Sequence, residues 1–178
     1  MNRIMLDLET MGNGSSAAII AIGAVRFDEE KTFDPMGCVV DLQSSVEAGL
    51  VIDPSTVLWW MQQGEQARGQ FNRKGVALAE ALDLFSAWLG DEAQVWGNGV
   101  DFDNVILSNA YRQCQRQQPW PYWGNRCYRT LKNLYPQIKM EPREGTYHCA
   151  TDDAENQARH LIRILQHVNA AGAIESEA

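Results

Sequence analysis

Asp7-Leu8-Glu9-Thr10 stands near the start of this 178-residue chain, Phe102-Asp103 near its middle, and His148 precedes Asp153 near its end. Four carboxylates and an imidazole are the groups that a pair of hard divalent cations and a general base require. Mg²⁺ and its kin take oxygen ligands. A neutral imidazole, with an unperturbed pKa of about 6.5, takes a proton from water near neutral pH. Converging in space, these groups suit phosphodiester hydrolysis; dispersed, they are ordinary surface acids. Asp7 and Glu9 are two apart in a strand-like stretch, so both carboxylates face one way while Leu6 and Leu8 face the other. Such neighbours repel unless a cation or a proton intervenes. Asp103 opens a helix after a glycine-rich turn, where the helix dipole alone favours an acid, and spacing does not separate it from Asp101. His148 falls in a loop and Asp153 in the first turn of the last helix, where Asp152 with Glu155 spells a capping-box pattern.

The elements that must position these groups follow from hydrophobic periodicity. Residues 3–8, 17–27 and 36–42 read as strands, with the polar stretch 28–35 a hairpin connection. Asp53-Pro54-Ser55 signals a helix start, with residues 56–63 the helix. Leu78, Leu82, Phe85 and Leu89 form one face of an amphipathic helix. Residues 94–96 read as a short strand, Gly97-Asn98-Gly99 as a turn, and 102–115 as a helix. Residues 117–122, with Pro119 and Pro121, form a loop, 128–135 a helix and 141–147 another loop. The final helix turns Ala154, Ala158, Leu161, Ile162, Leu165 and Val168 inward. This order predicts a single α/β domain over residues 1–170 with a mixed sheet flanked by helices, and a frayed tail over 171–178.

Composition narrows the setting. No apolar run nears the roughly 20 residues that cross a bilayer, so no membrane association is expected. No basic-then-apolar leader is visible, and the four cysteines, Cys38, Cys114, Cys127 and Cys149, make no CxxC pair. Reduced thiols in the cytoplasm are the expectation. The net charge of −8 speaks against a polyanionic partner until its distribution is seen. Residues 108–140 hold no acid but carry Arg112, Arg116, Arg126, Arg129, Lys132 and Lys139, interleaved with Tyr111, Trp120, Tyr122, Trp123, Tyr128 and Tyr135. Basic and aromatic side chains together suit a surface that tracks a nucleic-acid backbone and stacks bases. The plainer alternative is a solvated basic face with its aromatics turned into the core. Of the adjacent Trp59 and Trp60, one is expected to pack while the other stacks on a base. No GxxxxGK[ST] loop is present, which argues against ATP-driven chemistry.

Each motif is weak alone; in this order and at these local spacings the combination resembles the three exonuclease motifs of the DEDDh family. That family contains oligoribonuclease, ribonuclease T and the proofreading subunit of bacterial replicative polymerase. Asp7-Leu8-Glu9-Thr10 matches the first motif. Phe102-Asp103, with Leu107 four residues on, matches the second and favours Asp103 over Asp101. His148 and Asp153 match the third. Size, the Trp59-Trp60 pair and the Trp96-Gly97-Asn98-Gly99 turn look most like a small bacterial and phage 3′–5′ exoribonuclease-like subgroup. The resemblance implies a ribonuclease H-like fold. It implies that Asp7, Glu9, Asp103 and Asp153 hold two divalent ions, Mg²⁺ or Mn²⁺, and that His148 is the base. It further implies 5′-nucleoside monophosphates as products, released from the 3′ end of RNA or single-stranded DNA. Thr10, Met11, Gly12, Trp60 and Asn98 are expected to touch the substrate, and a homodimer is expected from related small enzymes. A non-catalytic nucleic-acid-binding module is the rival of another class, disfavoured because all five positions are filled. Two departures bear on substrate contact: Met11-Gly12-Asn13 stands where many members have Thr-Gly-Leu, and Gly97-Asn98-Gly99 replaces the usual His-Asn.

Overall fold

The computed structural model describes residues 2–176, the side chains of 171–176 excepted. Among these residues five strands, β1 (Arg3–Thr10), β2 (Ile19–Phe27), β3 (Thr32–Val39), β4 (Gln94–Gly97) and β5 (Asn125–Cys127), form one sheet in the order β3-β2-β1-β4-β5. The first three pair antiparallel, whereas β4 joins β1, and β5 joins β4, in parallel. β1 lies at the centre, and its alternation does what its sequence predicts: Leu6 and Leu8 enter one core while Asp7 and Glu9 share the other side.

Among the described residues seven helices accompany the sheet: α1 (Leu42–Glu47), α2 (Pro54–Gln62), α3 (Glu65–Arg68), α4 (Leu78–Leu89), α5 (Asp103–Gln113), α6 (Tyr128–Leu134) and α7 (Ala150–Ser176). Two apolar cores separate across the sheet. One gathers Ile4, Leu6 and Leu8 with Leu82, Phe85 and Leu89 of α4 and Ile106 and Leu107 of α5. The other gathers Met5, Val25 and Phe27 with Tyr128 of α6 and Ala154, Ala158 and Leu161 of α7. Ala154, Ala158, Leu161 and Ile162 are buried as predicted; Ile164 and His160 join them. His160 is held between the Tyr128 hydroxyl (2.7 Å to Nδ1) and the Ile138 carbonyl (2.8 Å from Nε2).

Three boundaries differ from expectation. The hairpin connection is only a tight turn, closed by Asp28 N–H to the Lys31 carbonyl (3.1 Å), so β3 begins at Thr32 rather than at 36. Pro35 is tolerated there because β3 is an edge strand that need not donate outward. Leu42 belongs to α1, which the strand reading absorbed. The capping box does not form: α7 starts at Ala150, and Glu155 accepts instead from Thr32 Oγ1 (2.7 Å) and Arg159 (3.1 Å). The expected tail falls largely on residues 171–176, whose backbone continues α7, and on 177 and 178, which lie outside the described residues. Among the described residues no helix is long and apolar enough to cross a membrane.

Candidate active site

β1 presents Asp7 and Glu9 at the point where its parallel partner runs out. β4 pairs with Arg3 to Leu6 and then ends, leaving the Leu8 N–H without a ladder partner. The Asp103 side chain takes its place: Oδ1 accepts from Leu8 N–H (3.1 Å) and Oδ2 from Asn98 N–H (3.1 Å). The first residue of α5 thus closes the ends of two adjacent strands and sets its carboxylate beside those of β1. Gly97 makes the approach feasible, since a Cβ there would overlap Asn104 Oδ1 and sit 3.2 Å from Asp103. Asp101, the competing acid, is exposed and makes no such contact.

The third group arrives from α7, whose first turn crosses β2 opposite Asp7. Gly23 pairs with Asp7 across the β1–β2 ladder, and a Cβ on Gly23 would overlap the backbone of Ala150 and Thr151. That close crossing brings Asp153 and Gln157 over β1. Gln157 Nε2 donates to Asp7 (2.7 Å). Arg143, from the loop before α7, pairs with Asp153 (2.5 Å) and donates to the Thr146 carbonyl (2.6 Å). His148 sits in the left-handed backbone region (φ 59°). One ligand-type atom each of Glu9, His148 and Asp153 all lie within 4.8 Å of one another.

All five motif residues therefore converge, and Asp7, Glu9, His148 and Asp153 line one cavity of about 540 Å³. The electrostatics are those of a site short of positive charge. Burial, then the charges of Asp103, Glu9 and Asp153, push the Asp7 carboxyl far above the ordinary carboxylate range. Burial and the charges of Asp153 and Asp103 raise Glu9 to about 8, against a smaller opposing effect of Arg143. Burial raises Asp103 to about 7 despite its backbone donors. Among the described residues Arg143 alone forms an ion pair with an acid of the cluster, so the carboxylates carry little compensating positive charge. An all-carboxylate oxygen set, joined by the unpartnered buried Oε1 of Gln157, suits hard ions such as Mg²⁺ or Mn²⁺.

The residues expected at the substrate divide. Thr10, Asn98 and Trp60 line the cavity. Met11 and Gly12 do not: Met11 is buried in the α4–α5 core, and Gly12 is buried beneath it, because the chain turns inward to bond Met11 N–H to the Ala18 carbonyl (2.8 Å). The exposed Asn13 faces the cavity instead. Trp60 is no stacking platform, being 3% exposed with its Nε1 donating to the Thr10 carbonyl (2.9 Å). Its neighbour Trp59, 41% exposed, has the free face. In the basic window, Tyr111, Trp120 and Tyr128 are core residues, whereas Tyr122 and Trp123 are 78% and 68% exposed. Motif reading missed Arg143, Gln157, Ser55 and Thr56. Gln157 was legible in principle, lying four residues after Asp153 on one helix face; Arg143 carried no such signal.

With this geometry in view, the likeness to known proteins is specific. A family model described as the 3′-5′ exoribonuclease Rv2179c-like domain matches residues 2–165. An exodeoxyribonuclease of Enterobacteria phage T4 is 26% identical over 155 residues, spanning 71% of this chain and 68% of that protein. The nuclease domain of 3′hExo, a DEDDh family member bound to rAMP, superposes with a TM-score of 0.62 at 17% identity, over 93% of this chain and 92% of that one. Exonuclease X, in complex with 5′ overhanging duplex DNA, gives 0.60 at 20% identity, also over 93% and 92%. The shared architecture is the ribonuclease H-like fold of DEDDh exonucleases.

Proposed function

The chain belongs to the Rv2179c-like 3′-5′ exoribonuclease domain family, and from that premise we propose that it shortens RNA from the 3′ end, releasing 5′-nucleoside monophosphates. The observation that supports this most is the meeting of Asp7, Glu9, His148 and Asp153 around one cavity, with Asp103 bonded beside them to the Leu8 N–H. In this reading Asp7, Glu9, Asp103 and Asp153 would hold two divalent cations, Mg²⁺ or Mn²⁺. When bound, these would neutralise charge building on the attacking and leaving oxygens of an in-line displacement. His148 takes the proton of the attacking water, beside Glu9 and Asp153. Gln157 fixes the rotamer of Asp7, and the backbone N–H groups of Leu8 and Asn98 fix that of Asp103. Thr10, Asn13, Trp59 and Asn98 on the cavity wall are the residues that would meet the terminal nucleotide, Trp59 by stacking.

The kinship to the phage T4 exodeoxyribonuclease favours a second reading, the same chemistry on single-stranded DNA. Digestion of matched RNA and DNA oligonucleotides, labelled at the 3′ or the 5′ end, with and without Mn²⁺, decides between them. Immediate release of 3′ label as mononucleotide from RNA is the expected result. Loss of 5′ label first, or internal cuts, would refute the polarity.

The same proposal treats residues 1–170 as one exonuclease domain working in the cytoplasm, where the unpaired Cys38, Cys114, Cys127 and Cys149 stay reduced. It also takes the exposed Tyr122–Trp123 pair, next to edge strand β5, as a surface for pairing two copies. A monomer mass by light scattering would remove the dimer from the proposal.

A further inference from the structure

We infer that Gln70 is a positioning residue for His148, acting from outside the catalytic cavity. The inference rests on the reading of His148 as the base. His148 adopts φ 59°, a conformation that a residue with a Cβ keeps only where its surroundings impose it. The surroundings here come from one direction. Gln70, in the 3₁₀ turn Gly69–Asn72 after α3, donates from Nε2 to the His148 carbonyl (3.1 Å) and to the Ala67 carbonyl (2.9 Å). A single amide thus ties the loop before α7 to the end of α3. The imidazole is gripped by the preceding helix: Trp59 meets it edge-on with centroids 4.9 Å apart, and Trp60 at 5.8 Å. Trp60 is itself pinned to β1 through the Thr10 carbonyl and packed against Phe71 at 5.1 Å. Backbone and ring of His148 are therefore held by the segment 59–71, which is anchored one residue from Glu9.

Trp59 and Trp60 line the cavity and would also face substrate, so their replacement mixes binding with positioning. Gln70 does not line it; it borders the neighbouring cavity of about 490 Å³ on the far side of His148. Its effect on turnover must pass through the histidine. Displacement of a catalytic group by about 1 Å lowers rates by up to about 10²-fold, which sets the scale.

The test is a double-mutant cycle in steady-state kinetics of the whole chain with Mn²⁺. Gln70→Met keeps the side chain's length and removes its donor; the expected result is a fall in kcat of about 10- to 100-fold with KM within about twofold. Gln70→Lys, which restores an N–H donor, is expected to recover part of that loss. In a His148→Ala background Gln70→Met should have no further effect, because the two act on one event. A folded Gln70→Met enzyme with unchanged kcat overturns the inference, as does an equal proportional loss in the His148→Ala background. Should Gln70→Met fail to fold, Gln70→Glu, which removes the donor at constant shape, carries the same two outcomes. If His148→Ala alone retains full turnover, it is the base assignment that fails; if His148→Ala is impaired and Gln70→Met is silent, only the positioning role fails.

Discussion

The task proposed for His148, to accept a proton from a water bound near Glu9 and Asp153, is narrow, and the residue scale is where it is tested. Replacing it with alanine should lower turnover by roughly 10²- to 10⁴-fold while Mn²⁺ binding, followed calorimetrically, stays near wild type; unchanged turnover removes His148 from the chemistry. Under the proposed function Asp7 tests the opposite property, that of a group kept for activity against stability. Burial and the charges of Asp103, Glu9 and Asp153 hold its carboxyl far above the usual range, so ionising it in the metal-free protein is unfavourable. Asp7→Asn keeps an oxygen for the Gln157 amide and removes the charge. It should abolish activity yet melt, in EDTA at pH 8, no lower than wild type; a clearly lower melting temperature would mean that Asp7 has a structural role the site does not require. The motif residues were legible because metal chemistry restricts residue type and β1 alternation fixes facing. Met11 was misread since spacing says nothing of the inward turn after Thr10, and the division of roles between Trp59 and Trp60 stayed open since helical periodicity does not say which of two adjacent tryptophans reaches β1. Arg143 escaped notice because an arginine in a loop has no periodic signature.

Among the elements, α7 carries the consequence of one missing side chain. Its first turn rests on β2 at Gly23, the residue paired with Asp7, so the packing of helix on sheet and the assembly of the site are one event. Gly23→Ala would place a Cβ inside the backbone of Ala150 and Thr151, and neither strand nor helix yields cheaply. The expected outcome is a loss of about 1–3 kcal/mol in urea unfolding and a fall in turnover of order 10²-fold as Asp153 and Gln157 move off β1. Gly14→Ala is the control, since nothing lies within 4 Å of the added methyl, and it should be near neutral. Wild-type behaviour of Gly23→Ala would show that the crossing has slack. Long elements were readable for a simple reason: α4, α5 and α7 repeat their apolar face over several turns, and β2 is apolar at every position but Arg26. Short ones were not. α1 and α3 are too brief to show a period. β3 hides its start behind Asp34 and Pro35, and β5 owes its existence to pairing with β4 rather than to its own three residues.

At the scale of the whole molecule the site appears as a charge that the fold tolerates only with help. The chain is acidic overall, at −8, and its clustered acids are half-buried or buried with Arg143 as their one ion-pair partner among the described residues. The raised acids fix the sign of the pH response. Below its unfolded-state value of 4.5, Glu9 is protonated in both states and contributes nothing against folding; between 4.5 and about 8 the unfolded chain releases the proton while the folded one holds it, so stability falls as pH rises. Asp103 does the same between 3.8 and about 7. His160 contributes in the opposite direction, since burial, opposed by its bond to the Ile138 carbonyl, lowers its value below 6.5 and stability drops as pH falls beneath that point. A melting curve in EDTA alone would mix these effects, but the difference between curves with and without cation isolates the site, because His160 lies away from it in the α6–α7 core. Cation binding requires the carboxylates ionised and stabilises the native state by mass action. The rise in melting temperature produced by millimolar Mg²⁺ or Mn²⁺ should therefore grow steadily from pH 5 to pH 8, and Asp7→Asn should flatten it. A cation effect independent of pH across that range, or one that survives the substitution undiminished, would place the bound ions elsewhere on the protein and leave the clustered carboxylates without their partner.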